Sequence, residues 1–217
     1  MPCDPCHPHE TPDYRQIVDR TIALFSVYTG ATLSFFVKDF LFSDKNIQTY
    51  HGLDWLSYWG TWCSLAVVAL LLRYIIGSAA HLNYTYVAKT KVISGNTVTT
   101  APKSANLCQL FIDLLFVIVF GILALLLTRS IGSVDILMRH AIYFIIVGLV
   151  WSVLALPRSS TGFLIPGTWI AIDIAQIAGT VLILHFVPGE LRQAVILGVA
   201  YLIFLFLDLY FVVRYMS

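Results

Sequence analysis

The chain of 217 residues is 59% hydrophobic and only 12% charged, with a formal net charge of +1 and a mean hydropathy of +0.83. A soluble domain carries roughly 25% charged residues, so too few charges remain here to cover a water-facing surface, and lipid is the expected solvent. The near-zero net charge and the lack of a basic patch interleaved with aromatics give no support to a nucleic-acid partner.

Residues 1–16 form a polar, proline-rich tail without the basic start and apolar core of a secretory signal. The first apolar segment is therefore expected to act as an uncleaved anchor. Residues 17–217 read as one transmembrane domain of six helices, since each crossing needs about 20 apolar residues. The spans fall near 21–42, 55–76, 107–128, 140–156, 166–187 and 191–215. Pro166 suits a helix first turn, and Pro188-Gly189 reads as a turn between the last two spans. Residues 83–106 read as a polar loop holding Lys89, Lys91 and Lys103 and no acid. With the N-terminus in the cytoplasm, that side receives Arg15, Arg20, Arg73, Lys89, Lys91, Lys103, Arg158 and Arg214. The opposite side receives only Lys38, Lys45, Arg129, Arg139 and Arg192. The positive-inside rule then places both termini in the cytoplasm.

Two internal echoes suggest a three-plus-three inverted repeat, an architecture used by several transporters. Leu110-Phe111-Ile112-Asp113-Leu114-Leu115-Phe116-Val117 returns as Leu205-Phe206-Leu207-Asp208-Leu209-Tyr210-Phe211-Val212, with six of eight positions identical. Gly60-Thr61-Trp62 returns as Gly167-Thr168-Trp169.

An aspartate at the centre of a membrane helix costs about 3 kcal/mol on insertion scales, so the acidic residues need partners. Asp113 is early in the third span and Asp208 late in the sixth, which puts both in the inner half of the membrane. Asp173, in the fifth span, and Arg73, in the last turns of the second, reach the same depth. Each has polar neighbours on its own helix face at spacings near three, four, seven or eight. These are Gln109 before Asp113, Gln176 and Thr180 after Asp173, Gly77 and His81 after Arg73, and Tyr201 before Asp208. Such stripes face a bundle interior or a watery cavity. Asp113, Asp173, Asp208, Arg73, Gln109, Gln176 and His81 are thus the candidate polar core. Three carboxylates against one arginine leave excess negative charge or shared protons, which suits a cation or proton route better than an anion route.

Two further constellations carry cofactor chemistry. Cys3, Cys6, His7 and His9 form a C-x-x-C-H segment that fits c-type haem attachment or a zinc site. His140 opens the fourth span and His185 closes the fifth, matched in depth as a b-type haem pair would be. The bland readings, a disordered tail and solvated interfacial histidines, imply no cofactor at all. No nucleophile elbow, phosphate-binding glycine loop or zinc-protease helix is present, so nothing positive points to an enzyme.

The pattern Phe111-x-Asp113-Leu114-x-Phe116-Val117 resembles a motif of the bacterial low-temperature-requirement A membrane proteins, although there it lies in the first helix. Arg20 with Phe25-Ser26 is similar to the opening of six-helix potassium channels related to lysosomal channel proteins, with Val27 where that family has aspartate. Neither resemblance carries residue roles over. The expectation is a homo-oligomeric membrane channel or transporter for a cation, proton or small polar solute. The alternatives are a haem-binding or quinone-interacting redox protein and a structural subunit of a membrane complex.

Overall fold

The computed structural model describes residues 14–36, 58–87, 89–93, 96–100, 107–155 and 164–216. They form six long helices: α1 (Arg15–Phe36), α2 (Trp59–Tyr86), α3 (Leu107–Arg129), α4 (Val134–Ala155), α5 (Leu164–Phe186) and α6 (Glu190–Met216). Between α2 and α3, β1 (Lys89–Ile93) and β2 (Asn96–Thr100) pair antiparallel as a hairpin. The helices α2 to α6 are each long and apolar enough to cross a membrane. In its described part α1 is more polar. It returns the hydroxyls of Thr21, Ser26 and Ser34 to backbone carbonyls four residues back, at 2.8–2.9 Å, which satisfies them without water.

The distribution of side chains is that of a protein dissolved in lipid. Leu107, Phe111, Leu115, Ile118, Ile122 and Leu126 run along the outer face of α3 in steps of three and four, each at least 40% exposed. The charges face the other way: Arg73, Asp113, Asp173 and Asp208 are 3%, 0%, 2% and 3% exposed. Water would reverse this arrangement, whereas hydrocarbon favours it, because an ionised group in lipid must find its partners inside the bundle. The chain is an integral membrane protein.

Three helix boundaries differ from the sequence expectation: α1 starts at Arg15 rather than near residue 21, α2 ends later and α4 starts earlier. The second span was expected to run to residue 76 or beyond, with a polar loop from residue 83, yet α2 continues to Tyr86. Ser78, Thr85 and Tyr86 are buried against neighbouring helices, so this polar stretch extends the bundle rather than leaving it. At 1.5 Å per residue its 28 residues span about 42 Å, more than the ~30 Å hydrocarbon core, and Arg73 sits at its middle rather than in its last turns. Similarly, α4 begins at Val134 rather than after His140, with Asp135 and Arg139 forming an exposed pair at 2.9 Å one turn apart. The polar segment after α2 holds the hairpin instead of a loop alone.

The helix α2 is the hub, packing on α1, α3 and, most extensively, α6. Gly198 permits that approach: a Cβ there would lie 3.0 Å from the Trp62 carbonyl oxygen. In turn α5 leans on α4 and α6, reached through a tight turn at Gly189, whose φ of +87° is one that glycine adopts freely. Under a three-plus-three repeat, the counterpart of the α2–α6 contact would be α3 on α5. Those two helices make no comparable contact.

Candidate functional site

Arg73 projects from the middle of α2 and holds acceptors on two other helices. Its Nε donates to Asp208 Oδ2 at 2.6 Å and its Nη2 to Asp173 Oδ1 at 2.7 Å. Its Nη1 donates to Gln176 Oε1. The planar fork of a guanidinium suits this task, because it offers donors in three fixed directions. A second donor reaches the same carboxylate, Tyr74 Oη to Asp173 Oδ1 at 3.1 Å. The Tyr74 ring is wedged between Phe120 and Phe144, with centroids 4.9 and 4.8 Å away. One turn further along α5, Thr180 Oγ1 donates to the Gln176 carbonyl and lies 3.0 Å from Tyr201 Oη on α6. Asp173, Gln176 and Thr180 therefore form the one-faced stripe read from their spacing, and the stripe faces inward.

Asp113 forms a second centre. Tyr86 Oη donates to its Oδ2 at 2.5 Å, and Trp151 Nε1 to its Oδ1 at 2.8 Å. His81 Nε2 stands 3.5 Å from Oδ2. The Trp151 indole is fixed by stacking on Phe116, at 6.0 Å and 10°, and by the edge of His81 at 5.2 Å. His81 is eight residues beyond Arg73, so the two centres are about 12 Å apart along α2. Trp151→Phe should lower stability by about 1–3 kcal/mol, the cost of withdrawing a donor from a buried acceptor. Thermal unfolding of purified protein checks this, and an unchanged midpoint would show that the indole N–H is not needed by Asp113.

Between the centres lies a cavity of about 40 Å³, above the 10–15 Å³ that one water requires. Arg73, Asp173, Asp208, Ser78, His81 and Trp169 are among its walls, with Gly77 and Gly148 as two of its smallest lining residues. It exists because the α2 and α5 backbones stay apart while the long Arg73 side chain bridges them. Two buried polar atoms at its wall, Asp208 Oδ1 and Ser78 Oγ, have no hydrogen-bond partner among the described residues. Gln176 Nε2, in the same cluster, is also unpartnered.

Of the residues singled out in the sequence, Arg73, Asp173, Asp208 and Gln176 meet directly. His81 and Asp113 meet each other, and Gln109 lies in the first turn of α3, half-buried. Arg73 and its partners lie at the middle of α2, and the His81–Asp113 pair lies about 12 Å further along it. The sequence reading missed Tyr74, Ser78, Tyr86, Trp151 and Trp169. Tyr86 fell within the expected polar loop, Trp169 entered only as part of the Gly-Thr-Trp echo, and Tyr74, Ser78 and Trp151 carried no sequence signal of their own. His140 shares a 2.5 Å hydrogen bond with Ser130 through Nδ1, while His185 is exposed in the last turn of α5. Cys3, Cys6, His7 and His9 lie outside the described residues. Among the described residues no group of three or more histidines, cysteines and carboxylates is placed to hold a metal. No protein-family model, curated protein or solved structure matches this chain.

Proposed function

We propose that this protein is a membrane carrier or channel for protons or other small cations, with the cavity beside Arg73 as its solute site. One observation carries this reading: a single guanidinium faces two carboxylates, and Asp208 keeps one oxygen uncommitted at the wall of a cavity large enough for water. The arginine is occupied by three acceptors, so it limits the negative charge of the site rather than recruiting an anion. His81 and Asp113 continue the titratable stripe along α2 and α3. The arginine and lysine bias supports a cytoplasmic position for both termini. The small volume suits an occluded carrier site better than a water-filled pore within one chain, and assembly of several copies accords with that.

Proton and cation flux into liposomes tests the proposal. Asp208→Asn should reduce flux about tenfold or more, equivalent to 1.4 kcal/mol or more, because it removes the uncommitted charge. A second reading is favoured by the bonds from Arg73 to both α5 and α6: the cluster only clamps helices in a structural subunit. Under that reading Asp208→Asn lowers stability and leaves flux unaltered.

A further inference from the structure

We infer that the cavity binds a small ammonium-type cation, ammonium itself or methylammonium. The inference rests on the proposed role of the cavity as a solute site and names the class of solute. Size comes first. Pockets for drug-sized ligands measure roughly 300–1,000 Å³, whereas about 40 Å³, at roughly 10–15 Å³ per water, admits an occupant of about three or four heavy atoms at most. Charge comes second. Among its described lining residues, one arginine meets two aspartates, and His81 turns toward Asp113 at 3.5 Å. Negative charge is in excess, and each guanidinium nitrogen of Arg73 already donates.

Hydrogen bonding comes third. Asp208 Oδ1 and Ser78 Oγ belong to residues only 3% and 2% exposed, and both await a partner at the cavity wall. A proton-rich occupant supplies several N–H donors to them at once, as a bare metal ion cannot. Calcium takes six to eight oxygen ligands and magnesium a near-ideal octahedron, and no cluster of that size occurs among the described residues. The walls come fourth. Tyr74, Trp151 and Trp169 line the same space, and aromatic faces attract desolvated ammonium groups.

Titration of the purified full chain in nanodiscs, followed by tryptophan emission at constant ionic strength, tests the site. Ammonium and methylammonium chloride should each give a saturable change. Sodium chloride and tetramethylammonium chloride should give none, the first lacking N–H donors and the second lacking them and being too large. Asp208→Asn should weaken the response at least about tenfold. Gly77→Ala provides a variant that keeps every charge. Gly77 lines the cavity, and a Cβ there meets no atom within 4 Å, while alanine is the better helix former. This variant should fold at least as well as wild type and lose ammonium affinity at least about tenfold. A response that is absent in wild type, or unchanged in folded Gly77→Ala, overturns the inference. Proton flux that depends on Asp208 without an ammonium response would sink this assignment and leave the proton-carrier reading standing. Saturable ammonium binding without any flux would do the reverse.

Discussion

Arg73→Met should destabilise the folded bundle by about 3–5 kcal/mol, the cost of breaking a buried ion pair by removing one partner. The reason is the pair of carboxylates left behind. Asp173 and Asp208 are 2% and 3% exposed, and each has its closest positive charge in the Arg73 guanidinium, at 2.7 and 2.6 Å. Without it they face each other's charge in a medium that solvates neither. Arg73→Lys should recover only part of the loss, because one ammonium cannot reproduce three fixed donor directions toward α5 and α6. The compensated variant Arg73→Met, Asp173→Asn, Asp208→Asn should be more stable than Arg73→Met alone, since replacing a whole buried ion cluster is often close to neutral. Thermal unfolding of the three proteins in one detergent gives the order. If Arg73→Met unfolds at the wild-type temperature, the ion cluster does not hold these helices.

Gly148→Ala should be the most damaging small substitution in the core. A Cβ at Gly148 would overlap Tyr74 Oη and its Cε1. Tyr74 cannot swing away, because Phe120 and Phe144 hold its ring from two sides. The added methyl must displace the ring or part α2 from α4, and overpacking of this kind costs about 1–3 kcal/mol. Displacing the ring also takes the Tyr74 hydroxyl from Asp173. The second substitution that identifies the cause is Tyr74→Leu. Gly148→Ala with Tyr74→Leu should be more stable than the sum of the single effects predicts, a coupling expected only for residues in contact. Tyr74→Phe should not rescue, because the clash involves a ring carbon as well as the hydroxyl. Additive single effects in the double variant would contradict the contact.

Much of this centre could be read from spacing alone. Asp173, Gln176 and Thr180, at steps of three and four, had to share a helix face, and apolar surroundings required that face to point inward. The intervals from Arg73 to Gly77 and His81 gave the facing stripe on α2. What spacing could not give was the choice of partners. Asp113 and Asp208 sit in nearly identical eight-residue segments. One is nonetheless held by a tyrosine, an indole and a histidine, the other by an arginine. A recurring word fixes a local face; the partner depends on which helix packs against it. The same holds for the Gly-Thr-Trp echo, in which Trp62 seats against Gly198 on α6 and Trp169 lines the cavity. The last turn of α2 was hidden because the polar residues from 83 onward look like the start of a loop, and only the burial of Thr85 and Tyr86 against neighbours makes that turn part of the bundle. Gly148 carried no signal, since its importance lies in Tyr74, which is 74 positions away in the chain.

The central claim is that Asp208 serves a solute as well as Arg73. Flux of protons and small cations into liposomes, measured for wild type and Asp208→Asn alongside the unfolding temperature of each, separates the two roles. Wild type should show flux, and Asp208→Asn should still fold yet lose about tenfold or more of it, given that asparagine keeps an oxygen for Arg73 and that tenfold corresponds to 1.4 kcal/mol. Equal flux in the two proteins, or none in either, with only the unfolding temperature altered, would contradict that claim and leave a helix clamp.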